Sequence, residues 1–381
     1  MRYKLKDIFD LQMGKTPSRS NQDYWNTEDY KWISIADLSK TRKYISDTKE
    51  HLSKIAIEDS GIKMIPMNTV VMSFKLSIGK VAITSDNMYS NEAIMAFHDK
   101  HVVNVLPEYI FYMFMNKNWE VGSNKAVMGK TLNKATLSDI EIEICSIEEQ
   151  KRIVGVLDKV MHVIESRRKE LALLDAFIKA RFVEMFGDPV SNSYALPEAT
   201  LPELGEFGRG ISKHRPRNDP KLLGGKYPLI QTGDVANAGL YIPSYSSTYS
   251  ELGLEQSKMW DKGTLCITIA ANIAKTAILE FDACFPDSVV GFNANEKTSN
   301  IFIHYWFSFF QAILEAQAPE SAQKNINLKI LSELKVIVPQ KEKQDAFVKL
   351  INQVNKSKVA VQKALDETQK LFDSLMQQYF G

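Results

Sequence analysis

Two long stretches of the chain carry an apolar residue at every third or fourth position. In the first, Ile153, Leu157, Val160, Ile164, Leu171, Leu174, Ile178 and Met185 form a seam that only Arg167 and Arg181 interrupt. In the second, Phe347, Ile351, Val354, Val361, Leu365, Phe372, Leu375 and Tyr379 do the same, with Lys358 and Thr368 as polar breaks. Steps of four and three are heptad spacing, so long helices are predicted over 146–187 and 341–381. Ser146 followed by Glu149 reads as a capping box at the first start, and Gly187 with Pro189 as its stop. A helix of about 40 residues is about 60 Å long and must bury its single apolar stripe. Two such helices in one chain are expected to pack on each other in antiparallel fashion, with a globular domain at either end.

Between the helices the period changes. Thr69 to Thr84 alternates and is rich in Val and Ile, which predicts strands, and Ser138 to Ile144 alternates again as a closing strand. Pro107 to Asn118 reads as an aromatic-rich helix with proline in its first turn. Lys335 to Pro339 closes a strand ahead of the second long helix. Ile301 to Leu314 is the greasiest segment, but it is only 14 residues long and contains His304, Ser308 and Gln311. That length suits a buried helix and not a membrane span.

The same plan occurs twice. Thr69 and Thr264 lie 195 residues apart, as do Lys80 and Lys275, within Asn68–Ser73 plus Ile78–Ile83 and Gly263–Thr268 plus Ile273–Ile278. Glu92 to Phe97 matches Asp287 to Phe292 at that offset, and Leu137 to Ile142 matches Leu331 to Val336 at 194, as Gln150 matches Gln344. A period this long is a duplicated domain and connector, not a solenoid repeat. The expected fold class is α+β. Two mixed α/β domains, 1–145 and 188–340, are joined by two long helices, 146–187 and 341–381, in an antiparallel coiled coil with a pseudo-twofold internal repeat.

Composition narrows the function. Lys plus Arg number 47 against 46 Asp plus Glu, for a net charge of +1, so the chain is neither histone-like nor an acidic disordered tail. Such neutrality leaves room for local basic patches. Cys145, Cys266 and Cys284 form no CxxC pair, which argues against a zinc ribbon or a disulfide framework. Met1 to Asp7 has no apolar run of the signal-peptide kind, so a cytoplasmic chain is expected.

No catalytic constellation stands out. The sequence has no GxxxxGK[ST] loop, no HExxH, no Asn-Pro-Pro-Tyr-like methyltransferase motif and no glycine-rich cofactor turn. His98 and His101 flank Asp99 without a nearby third ligand, and Pro286-Asp287 is not followed by the Glu-x-Lys of a nuclease-like motif. A binding protein with no metal and no cofactor of its own is expected.

Candidate nucleic-acid contacts sit in loops that differ between the copies. Copy one offers Gly14-Lys15-Thr16-Pro17-Ser18-Arg19, from which Lys15, Thr16, Ser18 and Arg19 are candidates. Copy two offers Gly208 to Arg217, with candidates Arg209, Ser212, Lys213, His214, Arg215 and Arg217. Between Arg209 and Lys226 six Lys or Arg face one acid, Asp219. Basic residues in glycine-hinged loops suit phosphate contacts and bidentate reading of guanine edges. Lys75, Ser77 and Lys80, with Asn272 and Lys275 in copy two, flank the best-repeated strand pair. Lys125 and Lys130, with Lys324 in copy two, mark a third loop.

Several motifs, in order and in duplicate, resemble the specificity subunit of type I restriction-modification systems over essentially the whole chain. They include Leu5-x-x-Ile8 through Pro17, Lys31-Trp32-Ile33-Ser34-Ile35-Ala36-Asp37-Leu38, and Ile78-Gly79-Lys80-Val81-Ala82. Leu137-Ser138-Asp139-Ile140 leading to Glu148–Ile153, and Met185-Phe186-Gly187-Asp188-Pro189, complete the set. The resemblance implies two target-recognition domains, each reading one half of a bipartite asymmetric target in double-stranded DNA, with the helices setting the unread spacer. It also implies a non-catalytic subunit that docks two methyltransferase subunits and, in the full complex, motor-nuclease subunits. S-adenosylmethionine, ATP and Mg²⁺ would belong to those partners. The sequence departs from the family where copy two has Arg209-Gly210-Ile211-Ser212 against Lys15-Thr16-Pro17-Ser18, and where Ile144-Cys145-Ser146 lacks the proline of Val338-Pro339-Gln340. The alternative from another class is a coiled-coil scaffold whose paired domains bind proteins and read no bases.

Overall fold

The structure is a computed structural model that describes residues 1–25, 27–75, 77–119, 124–126, 129–317 and 326–381, with backbone alone for 124–126, 129–131 and 317. The chain divides into two compact units, residues 1–168 with 363–381, and residues 169–362.

In the first unit the alternating segments Val70–Ser73 and Val81–Thr84 pair antiparallel, because both faces of this hairpin are covered and every residue of the pair is buried. They sit inside a five-stranded sheet whose order is Phe9–Met13, Ile94–Asp99, Val70–Ser73, Val81–Thr84 and Tyr44–Ile45. A smaller sheet runs Glu50–Leu52, Tyr30–Ile33, Tyr89–Ser90. Helix Pro107–Asn116 covers the large sheet with Tyr109 to Phe114 all buried. Asn133 caps the helix Lys134–Ser138, so Ser138 ends a helix and the predicted closing strand shortens to Glu141–Glu143. That strand pairs antiparallel with Arg2–Lys4.

The second unit repeats this plan, with one more strand in its smaller sheet. Its five-stranded sheet runs Gly205–Arg209, Val289–Ala294, Leu265–Thr268, Thr276–Leu279, Tyr241–Ile242. A four-stranded sheet runs Ser247–Tyr249, Leu223–Leu229, Ala283–Cys284, Met259–Trp260. Glu198–Thr200 pairs with Lys335–Ile337 as Arg2–Lys4 does with Glu141–Glu143. The greasy segment lies in helix Asn300–Gln317, with Phe302, Ile303, Trp306 and Phe307 fully buried. No helix among the described residues is long and apolar enough to cross a membrane.

The heptad stretches are continuous helices, Ile147–Phe186 and Lys341–Phe380. In each unit their segments run antiparallel: Arg152 lies over the Tyr379 ring in the first unit, and Asp175 pairs with Lys358 at 2.6 Å in the second. The expected seam needs correction at its end. Arg181 is half-buried and salt-bridged to Glu184, while Phe182 and Phe186 are the fully buried residues. From Ile178 onward the buried positions advance by four, the period of a helix face laid on a domain core instead of a coiled-coil seam. Met376 likewise replaces Leu375 as the better buried residue near the second helix end. The capping box is half made: Ser146 Oγ accepts from Glu149 N at 3.3 Å, but the Glu149 carboxylate is held by Arg152.

His304, on the buried helix, shares a 2.9 Å hydrogen bond with Thr276 Oγ1 through its Nδ1. Burial holds its imidazole down at about 4, with the charge of Lys358 acting the same way and the contact to Thr276 opposing it. An unfolded chain binds that proton near 6.5, so the folded state binds fewer protons between about 6.5 and about 4. Stability of the second unit is therefore expected to fall by about 2 kcal/mol as pH drops through that window. Urea titrations across the range should show the loss in wild type and a flatter profile in His304→Asn.

Candidate nucleic-acid interface

In each domain the first candidate loop and the turn between the central strands leave the large sheet at one end. In copy one, Met13 pairs with Met95 and Ser73 with Ile94, so the chain departs from both strands at the same level. Gly14 N then donates to Ile94 O, Phe74 N donates to Ala93 O, and Leu132 N donates to Phe74 O. The third loop is brought in by that last bond; within it Lys125 and Lys130 are directly opposed in the backbone pairing of Asn124–Ala126 with Gly129–Thr131. Copy two does the same with Gly210 N to Val289 O, Ile269 N to Ser288 O and Ile326 N to Ile269 O. Lys324 lies outside the described residues.

The turn between the central strands is built identically in both copies. Ser73 Oγ donates to Ser77 O and accepts from Lys80 N at 3.0 Å. Thr268 Oγ1 donates to Asn272 O and accepts from Lys275 N at 3.1 Å. The repeated lysines thus share a backbone role. Their side chains differ in setting, Lys80 exposed and Lys275 half-buried, while Ser77 and Asn272 are exposed at the turn. Lys75 reaches over the Phe74 ring, 5.2 Å from its centre.

The first loop corrects the sequence register. A Cβ on Gly14 would lie 2.2 Å from both Ser90 O and Asn91 O; on Gly210 it would lie 2.2 Å from Phe285 O and 2.4 Å from Pro286 O. Gly14 therefore corresponds to Gly210 and not to Gly208, since only a residue without a side chain passes these carbonyls. Thr16 then matches Ser212, Arg19 matches Arg215, and Arg209 falls on an exposed strand position opposite Val290.

The loop arginines Arg19, Arg215 and Arg217 are held by acids of their own domain. Arg19 makes a two-pronged contact with Glu50, its second prong at 3.1 Å, and stacks 3.8 Å from the Trp25 ring centre and 4.9 Å from that of Trp32. Lys15 Nζ donates to Ser60 O, Thr16 Oγ1 donates to Glu92, and Ser18 Oγ meets Ser20 Oγ at 2.8 Å. In copy two, Arg217 and Arg215 converge on Asp287 at 2.5 Å and 3.6 Å, and Arg215 also donates to Ser212 O and His214 O. His214 Nε2 lies 3.1 Å from Asp219. The Asp219 carboxyl is held below the usual range, first by the donated Lys221 N–H and then by His214. Lys226 pairs with Glu251 at 3.0 Å. Of the six cations between 209 and 226, Arg209, Lys213 and Lys221 make no ion pair among the described residues, so the patch is less basic in space than in sequence.

Glu50, Glu92 and Asp287 were not among the sequence candidates. Glu92 and Asp287 could have been found, since they share the 195-residue offset and are acidic in both copies. His98 is partly covered and lies 3.1 Å from Gln12, His101 pairs with Asp99 at 3.2 Å, and no metal-binding cluster occurs among the described residues.

The duplicated frame has counterparts among known proteins. The family described as type I restriction modification DNA specificity domain matches residues 1–175 and again 198–368. The chain belongs to that family. The specificity subunit of the type I restriction enzyme MjaIX from Methanocaldococcus jannaschii is 29% identical over 189 residues, 49% of this chain and 43% of that protein. The Escherichia coli EcoR124I/EcoR124II specificity subunit is 26% identical over 152 residues, 38% of this chain and 37% of that one. The chain thus spans less than half the length of these two relatives in its matched segments. Among solved structures, the S subunit of a type I restriction-modification system from M. genitalium superposes with a TM-score of 0.58 at 15% identity, covering 100% of this chain and 96% of that one. A chain from a type I R-M system, solved for its complex assembly and conformational transition, gives 0.59 at 15% identity, covering 100% and 97%. These likenesses establish a shared fold, whose loops are free to differ.

Proposed function

We propose that the chain is the non-catalytic DNA-recognition subunit of a type I restriction-modification enzyme. Each domain reads one half of a bipartite asymmetric target in double-stranded DNA, and the long helices set the unread spacer. Two methyltransferase subunits dock on it, joined in the full complex by motor-nuclease subunits, and S-adenosylmethionine, ATP and Mg²⁺ belong to those partners. The observation that carries this reading is that the loops after Gly14 and Gly210, which differ in sequence and carry cations, leave the large sheet at the same end in both copies of one frame, beside the turn between the central strands. Identical frames with different loops suit two readers of different short sequences. Affinity then rests on phosphate contacts, and each good bidentate base contact adds about 1–3 kcal/mol of discrimination.

Exchanging residues 1–145 for the corresponding domain of another family member is expected to change one half of the methylated target and leave the other unaltered. Methylome sequencing of cells carrying the chimera with its partner subunits reads this directly. A target changed in both halves, or in neither, would count against one domain per half-site.

A further inference from the structure

The two copies place an acid at the same point of the frame but give it different partners. Glu92 accepts from the hydroxyl of Thr16. Asp287, its counterpart 195 residues on, holds the guanidiniums of Arg215 and Arg217. Ser212, the counterpart of Thr16, is consequently left with a buried Oγ that has no hydrogen-bond partner, although the residue is only 6% exposed. It lines a depression of about 300 Å³ together with Arg217, Asn218, Gln231 and Ser288. A buried hydroxyl without a partner is costly and rare in folded proteins. In copy one the matching hydroxyl, that of Thr16, finds its acceptor in the matching acid, Glu92. The Arg215 and Arg217 side chains are 55% and 47% exposed, so these ion pairs are weak and open to exchange with an incoming phosphate.

We propose that Asp287 is a specificity-determining residue that masks two phosphate-binding arginines in the free protein and turns to the Ser212 hydroxyl when DNA takes them. Copy one shows the hydrogen bond of the released state, in Glu92 and Thr16. The carboxylate occupies the guanidiniums as a phosphate would, so a duplex must displace it before gaining two phosphate contacts. Only a correctly seated target, with its base contacts made, repays that displacement. Asp287 therefore suppresses binding to unrelated sequence more than binding to the target. This rests on the DNA-reading function proposed above.

The test uses the full chain assembled with its methyltransferase subunits, and duplexes carrying either the target defined by methylome sequencing or a scrambled version. Asp287→Asn is expected to bind the scrambled duplex about tenfold more tightly at low salt, and to steepen the salt dependence of binding by about one to two. The ratio of target to scrambled affinity should fall. Asp287→Glu, which restores the copy-one acid, should behave as wild type. Glu255→Gln, which removes an exposed acid that pairs with no cation among the described residues, should change little. Ser212→Ala should weaken target binding a few-fold in the wild-type background and have no further effect beside Asp287→Ala, since each of these removes the same hydrogen bond. An unchanged salt slope in Asp287→Asn, equal effects of Asp287→Asn and Glu255→Gln, or additive effects of Asp287→Ala and Ser212→Ala would each overturn the proposal. A wild-type complex that does not distinguish target from scrambled duplex would instead overturn the DNA-reading function, and the masking role with it.

Discussion

Phe182→Ala is expected to cost the second unit about 3–5 kcal/mol, because it empties the centre of an aromatic cluster that cannot collapse around the gap. The ring is fully buried, with its centre 5.4 Å from that of Phe302, 5.1 Å from Phe309 and 5.4 Å from Phe347. Phe347 belongs to the other long helix, so one truncation loosens the helix pair and the domain core together. A melting temperature lower by about 10 °C is the expected size for a unit this large. Its neighbour provides the contrast. Arg181→Ala removes an exposed pair with Glu184 at i, i+3 and should stay within about 0.5 kcal/mol. Denaturant titration of both variants decides the matter, and comparable losses would show that the apolar face had been misplaced by one residue.

The second large effect is expected at Gln344. Its side chain is fully buried in the first turns of the second long helix. Its amide nitrogen donates to Lys297 O at 3.0 Å and Pro339 O at 2.8 Å, and its oxygen accepts from Thr298 Oγ1 at 3.0 Å. Gln344→Glu replaces the donor with a carboxylate oxygen facing two carbonyls. The ionised form is repelled there, so the folded-state pKa of the new group must rise above its unfolded value of about 4.3. A raised folded pKa means the destabilisation is smallest below about pH 4 and grows as pH rises through the folded value. At neutral pH it should reach about 3–5 kcal/mol, the scale of an unpaired buried charge. Urea titrations at several pH values would show a difference from wild type that widens upward; a difference independent of pH would refute it. Gln150 makes the matching set in the first unit, to Leu106 N at 2.9 Å and to Asn104 O and Cys145 O at 3.0 Å each, and Gln150→Glu should follow the same trend.

Sequence pattern made the frame legible because both signals behind it are long. A duplication held at one offset and a heptad carried over several turns average out local exceptions. Their ends were less legible. The helix face switches from a coiled-coil seam to a domain core near Ile178, and a strict heptad then points at Arg181 in place of Phe182. The pairing of Gln150 with Gln344 was visible as a repeat, but nothing in the sequence says that a glutamine there ties a loop and a helix start together. The first loops were equated through Gly208, which sits in a strand, because Gly208-Arg209-Gly210 offers two glycines and only carbonyl positions from a distant strand end reveal which is squeezed. The charge of the second loop was overstated for a related reason. Asp287, remote in sequence, neutralises arginines that look free in a linear count.

The glycine pinned against neighbouring carbonyls also has an evolutionary meaning. Gly14 and Gly210 fix the last point at which the two copies follow one path before their loops diverge, and strands Tyr30–Ile33 and Leu223–Leu229 pick up the common path again. What lies between is tied to the frame: Trp25 packs edge-on against Trp32, and Trp32 Nε1 donates to Lys15 O at 3.1 Å, so an exchanged segment must still cover Trp32. Such a boundary works as a socket: short segments can be exchanged between the halves of one chain, or between relatives, provided the insert keeps its cover over the small sheet.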